Sequence, residues 1–193
     1  LTFTYEAKSL PYPIDTSYYD NEKHTQADAL SVIPFMDEMN YEGLSVSGLS
    51  DGYYGLTIGG EFIGRFTARE LERGINMALL QNTPQYKQAM KIRQMNEERW
   101  LKERKMREFY WVEYNLMRKT GMLWACNEAA VDTLRKYRPH DIFLQWNGAL
   151  WLQYMHKGIR EDCVNEQQDL VNQIYEQNKP IPLQIEIKKF TDL

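Results

Sequence analysis

The sequence predicts an α+β fold: a small antiparallel sheet of four or five strands, the first and last strands of the chain included, carrying a long antiparallel helical hairpin. Three observations predict it. Apolar residues alternate at Tyr54, Leu56 and Ile58 and again at Leu183, Ile185 and Ile187, the period of two that marks a half-buried strand. Gly59-Gly60 sits between two such runs, as a hairpin turn with two positive-φ positions requires. After Pro84 no proline follows until Pro139 and no glycine until Gly121, an uninterrupted stretch long for a globular helix.

Taken in order, Leu1 to Tyr5 alternates as a strand that Pro11 and Pro13 bring to an end. Asp15 to Asp28 is polar, with Tyr18 and Tyr19 embedded, and reads as a surface loop. Leu30 to Met39 holds a short turn or strand. Strands are expected at Leu44–Gly48, Tyr53–Ile58 and Phe62–Phe66. Thr67 and Glu70 form a capping box that opens a short helix over 68–80. Thr83 followed by Pro84 starts the long helix, because the missing N–H of proline costs nothing in a first turn. Gly121 closes it, Asn127 to Tyr137 forms a second helix, Arg138-Pro139-His140 breaks the chain, and a last helix runs from about Asn147 to Asn178. Pro180 and Pro182 lead into the closing strand, which returns to the first sheet to cover its apolar side chains. The parts are then a β-rich part at 1–82, a helical hairpin at 83–179 and the closing strand within 180–193, acting as one cooperative unit.

Composition sets the class. Of 193 residues, 43% are hydrophobic and 26% charged, with five Trp, 13 Tyr and 7 Phe as core material. A net charge of −4 argues against a nucleic-acid partner, which calls for a basic face. No apolar run reaches the roughly 18 residues of a membrane span. The first residues show no leader pattern and no starting Met, as expected of a processed or excised piece.

Catalytic motifs are few. Gly48-Leu49-Ser50-Asp51-Gly52 has the spacing of a hydrolase nucleophile elbow, but that elbow needs a helix after the serine, and here a strand follows. Ser50 is therefore expected at a hairpin tip, in ordinary turn chemistry. His24, His140 and His156 have no motif that would make any of them a base. Cys126 and Cys163 both fall in stretches read as helical, are read as free thiols, and have the spacing of neither a zinc site nor a disulfide scaffold. No catalytic, cofactor or metal residue is assigned. From Lys91 to Glu108 seven basic and four acidic residues alternate on the helix. Glu98 with Lys102 and Glu103 with Arg107 are expected to pair at i,i+4. Beyond them Phe109 to Met117 is apolar around most of the helix, which calls for packing against Leu150, Trp151 and Tyr154 or for a docking surface.

The block from Gly48-Leu49-Ser50-Asp51-Gly52-Tyr53-Tyr54 through Ile58-Gly59-Gly60, Ile63-Gly64 and Phe66 to Glu70–Leu80 resembles the C-terminal region of bacterial SGNH (GDSL-like) hydrolases. Gly74 to Pro84 is similar to a phrase of that subgroup, with Met77 in place of Leu. Leu10-Pro11-Tyr12-Pro13 and Asn178-Lys179-Pro180 are similar to stretches of the same region. The resemblance implies an accessory domain behind a catalytic domain that carries the Gly-Asp-Ser nucleophile and an Asp-x-x-His pair, neither of which this sequence contains. It also implies an N-terminal catalytic domain as partner and a periplasmic or secreted location; because that domain would join at Leu1, connectivity places its contact on part of the β-rich half. Two alternatives stand beside it. One is a glycan- or peptide-binding module using Tyr18, Tyr19, Tyr53 and Tyr54. The other is a helical element that joins a second subunit through the 84–178 hairpin.

Overall fold

The computed structural model describes residues 1–14 and 25–190. The expected loop at Asp15–Asp28, with Tyr18, Tyr19 and His24, lies mostly outside the described residues. Two compact units emerge: a sheet unit formed by residues 1–93 and 176–193, and a helical unit formed by 94–175.

In the sheet unit, β1 (Thr2–Tyr5), two single-turn helices α1 (Gln26–Ala29) and α2 (Phe35–Glu38), and β2 (Gly43–Leu44) come first. β3 (Tyr53–Ile58), β4 (Glu61–Thr67), α3 (Ala68–Arg73) and β5 (Ile75–Asn76) follow. The unit also holds the start of α4 (Pro84–Val112), and the chain returns to it as β6 (Leu183–Lys189). The main sheet has the order β1-β6-β3-β4, all pairs antiparallel. The closing strand returns to the sheet, as the sequence predicts, and the structure places it between the first strand and the hairpin. Gly59 and Gly60, at φ 59° and 84°, make the β3–β4 turn. Opposite Leu56 and Thr57 the register shifts, leaving Ile63 as the extra residue of a bulge whose side chain still enters the core. Tyr54, Leu56, Ile58, Ile185 and Ile187 cover one face and pack with Leu71 and Met77.

Two sheet-unit expectations are corrected. Residues 44–48 do not join the main sheet: Gly43–Leu44 pairs with Ile75–Asn76 in a separate two-stranded ladder, and the Val46 N–H turns to the Leu71 carbonyl. The helix expected over 68–80 stops at Gly74, whose φ of 94° ends the turn that the Thr67–Glu70 capping box began. Beyond it Asn76 takes over. Its Oδ1 accepts the N–H groups of Glu42 and Ala78, while its Nδ2 donates to the carbonyls of Met36 and Asn40. A single amide stitches the 36–42 segment to the turn Met77–Leu79, so the Gly-Ile-Asn-Met phrase is a structural staple. Thr83 caps α4 as expected, its hydroxyl accepting the Tyr86 N–H. Gln88 on the first turns donates to the carbonyls of Gln177 and Lys179, tying α4 to the approach to β6.

The helical unit contains the rest of α4, which continues through a π-helical turn at Glu113–Met117. α5 (Glu128–Tyr137), α6 (Ile142–Tyr154) and most of α7 (Lys157–Gln177) complete it. Within the unit α4 and α7 are antiparallel: Lys102 pairs with Glu166, and Arg160 stacks on Phe109. Phe109, Val112, Leu116, Met117, Trp151 and Tyr154 share its core, so the apolar belt on α4 packs inward as one reading required. Both expected ion pairs form, Lys102–Glu98 at 3.8 Å and Arg107–Glu103 at 3.9 Å. The single helix expected over 147–178 is corrected to two. Asp141 caps α6 six residues earlier, and the chain breaks at Met155-His156. There one guanidinium nitrogen of Arg160 binds the carbonyls of Tyr154 and Met155 at 2.6 and 2.7 Å, groups that a continuous helix would use itself.

Candidate interaction surfaces

Ser50 lies in the turn before β3 and is followed by a strand, not a helix; the expected hairpin tip is corrected, because residues 44–48 do not pair with β3. Its Oγ meets the Tyr54 hydroxyl at 3.1 Å and receives a hydrogen bond from Lys189 Nζ at 3.1 Å, while the Tyr54 hydroxyl donates to the Ser50 carbonyl. These contacts close the turn onto the sheet. Tyr54 itself is corrected: it is a buried core residue and offers no stacking surface, whereas Tyr53, its neighbour, is exposed. On the open face of the sheet the Arg65 guanidinium lies 4.4 Å from the Tyr53 ring and 5.4 Å from that of Phe190, with Phe62 beside Phe190.

Beneath the sheet unit's surface lies a polar cluster that the sequence did not announce. Glu42 accepts from the Tyr5 hydroxyl and, at 3.4–3.5 Å, from Gln85 Nε2, and burial raises its carboxyl above the ordinary value. Burial, followed by the Glu42 charge, pushes the Tyr5 phenol up to about 12. Gln85 is buried, and its Oε1 has no donor among the described residues.

Both described histidines belong to the helical unit. His140 ends the short 3-10 turn before α6. His156 occupies the break before α7, where its Nδ1 lies 3.3 Å from Cys126 Sγ. Cys126 is corrected from helical to an exposed residue of the loop before α5, while Cys163 is buried on α7; both are free thiols. The thiol–imidazole contact joins residues 30 apart in sequence, which no spacing rule reveals. Among the described residues no group of His, Cys, Asp and Glu could hold a metal ion.

The most constrained part of the helical unit is built on Glu113. This carboxylate is buried, accepts the Trp151 indole N–H at 2.8 Å and accepts the Trp124 backbone N–H at 2.8 Å. Trp124 is held at φ 62°, a left-handed conformation that a bulky residue adopts only when its surroundings impose it. The π-helical turn that starts at Glu113 is a feature often found at functional positions. Its product is a half-exposed indole ringed by Tyr110, Tyr114 and Phe109, beside the Arg160 guanidinium. Trp124 lines an open cleft of about 630 Å³ together with Tyr110, Lys157, Arg160, Glu161 and Asn165.

A second surface of this unit is apolar. Ile142, Phe143 and Trp146 on α6 are 49%, 49% and 66% exposed, although the opposite side of the same helix supplies Leu144, Gly148, Trp151 and Tyr154 to the interior.

With this geometry in view, comparisons give the relatives. Residues 90–179 match the family described as Diltiazem deacetylase C-terminal helical domain. A solved structure of a gut microbial diltiazem-metabolizing enzyme superimposes with a TM-score of 0.89 at 37% identity, over 98% of this chain and 43% of that one. The likeness is to part of that enzyme. No curated protein matches the chain. The chain thus spans less than half of the solved enzyme it resembles, and the family match falls on the helices, where the sequence resemblance was least specific.

Proposed function

We propose that this chain is the non-catalytic C-terminal accessory domain of an ester hydrolase of the SGNH (GDSL-like) type, packed on the catalytic domain and shaping access to it. One observation carries the reading: nearly the whole chain superimposes on 43% of a longer diltiazem-metabolizing enzyme. The environment of Ser50, a turn serine held by Tyr54 and Lys189, agrees with it. The name of the matching family points to removal of an acetyl group from an ester, so the whole protein is assigned deacetylation of acetyl esters. Export to the periplasm or beyond belongs to the same reading.

The test is to express the complete polypeptide from its gene and compare it with this chain alone on an aryl acetate. The complete protein is expected to hydrolyse the ester and the chain is not. Ser50→Ala is expected to leave the complete protein's rate unchanged, and loss of that rate would overturn the assignment.

A second reading, a glycan- or peptide-binding module, draws on the Tyr53–Arg65–Phe190 stack of the open sheet face. A Tyr53→Ala change that weakens retention on immobilised polysaccharide would favour it. Association of two chains through the helices is the third reading, and sedimentation tests it.

A further inference from the structure

We propose that the cavity beside Glu42 in the sheet unit binds a small organic cation, an alkylammonium or quaternary ammonium group. The whole cavity lies within this chain, so the inference does not lean on the accessory-domain reading.

The cavity measures about 490 Å³, the size of a small-molecule site. Tyr5, Tyr12 and Tyr41 line it together with Leu10, Met39 and Glu42. Its walls are fixed by their own packing. Asn40 is buried and clamps the Tyr12 backbone, its Oδ1 accepting the N–H at 2.8 Å and its Nδ2 donating to the carbonyl at 2.9 Å. The Tyr12 ring stands edge-on to Phe35 at 5.6 Å. Tyr41 lies against Gly43, where a Cβ would come within 2.5 Å of its ring, so glycine is what lets the ring settle there.

Charge chooses the ligand. Glu42 is held by neutral groups alone, the Tyr5 phenol and the Gln85 amide, the latter at a long 3.4–3.5 Å. Among the described residues no Lys, Arg or His pairs with it. Gln85 is itself buried and leaves its Oε1 without a donor among the described residues, so the interior supplies no positive charge either. A part-buried carboxylate without a counter-charge is costly, and a cation entering the cavity relieves that cost. Three phenol rings supply the electron-rich surface to which an ammonium group is drawn. A hard metal ion needs several converging oxygen ligands, and among the described residues no group of acidic, His and Cys side chains could hold one. The two other charged residues of the cavity, Glu6 and Lys8, are exposed and opposite in sign, which leaves Glu42 to set the preference.

The probe is tetramethylammonium chloride titrated into this chain, read through the amide resonances of Asn40 and Gly43. Saturable shifts are expected with it and with neither sodium chloride nor tert-butanol at equal concentration. Glu42→Gln keeps the shape and removes the charge, and is expected to weaken binding by about tenfold or more. Tyr41→Phe keeps the ring and is expected to bind as the parent chain does, whereas Tyr41→Leu binds more weakly. Lys8→Ala is expected to tighten binding by removing a like charge. Equal shifts with tert-butanol would reduce the cavity to an apolar hole, and equal shifts with sodium chloride would reduce the effect to ionic strength. Either result overturns the inference, as does unchanged affinity in a folded Glu42→Gln variant. Should that variant fail to fold, the two Tyr41 variants decide, and equal affinity in both overturns it.

Discussion

In the sheet unit buried polarity is shared among several side chains. Asn76 makes four hydrogen bonds, Asn40 three, and Glu42 is flanked by Tyr5 and Gln85. In the helical unit much of the same work falls to one carboxylate, Glu113, which holds the Trp151 indole and the Trp124 backbone together. A network shared among many donors degrades by steps, whereas a junction with one centre fails at once. The two units are therefore expected to respond differently to single changes.

The largest effect is expected from Glu113→Ala. It leaves the buried Trp151 indole N–H and the part-buried Trp124 N–H without an acceptor and opens a void beside Trp151, a loss of about 3 kcal/mol. Urea unfolding followed by near-ultraviolet circular dichroism checks it. If the chain is one cooperative unit, as the sequence suggested, the whole transition shifts together. A separate early transition for the helical unit would sharpen the division instead. Glu113→Gln keeps one acceptor and should lose about half as much. A loss below about 1 kcal/mol for the alanine variant would remove Glu113 from the centre of the unit.

Next comes Asn76→Ala in the sheet unit, at about 2 kcal/mol, since some of its four partners can turn to water. A loss as large as that of Glu113→Ala would erase the contrast between the units. Gly60→Val follows, at about 1–2 kcal/mol, because its φ of 84° strains a β-branched residue although nothing lies within 4 Å of the new Cβ. A shift in melting temperature that cannot be measured would show that the turn adapts.

The smallest effect depends on pH. Glu42 keeps its proton in the folded state to a higher pH than in the unfolded chain, whose ordinary value is 4.5. Its contribution is therefore full below that value and fades as the pH rises through the raised folded value. Stability of the wild-type chain should decline over that interval, and Glu42→Gln should flatten the decline. An identical slope in the variant would show that the carboxyl is no more buried than an ordinary surface glutamate.

Legibility divides along the same line as the architecture. The β3–β4 hairpin could be read because Gly59-Gly60 and the flanking alternation agree, and β3 runs over the expected residues. The Thr67–Glu70 box and the Thr83–Pro84 start were equally plain, since local hydrogen bonds determine both. What escaped was imposed from a distance. Gly158, the nearest weak helix former to Met155, lies within α7 and not at the break, which depends on a guanidinium five residues on and on the core beneath it. The left-handed Trp124 depends on a carboxylate 11 residues away. Of the surfaces, the aromatic content of α4 and α6 was visible, but the side of each helix left uncovered was not. That choice belongs to tertiary packing, since α6 carries large apolar residues on more than one side.

The place of β6 carries a consequence for synthesis. It is the last strand in sequence, yet it runs in the interior of the main sheet, with β1 on one flank and β3 on the other. While the chain is still being made, β1 has no partner and β3 has only β4. Both present raw edges for as long as the intervening helices take to emerge. The helical segment, complete by residue 175, can settle during translation. The sheet can only snap shut once Leu183–Lys189 has left the ribosome, so a nascent chain that stalls before that point should be a client for chaperones and proteases.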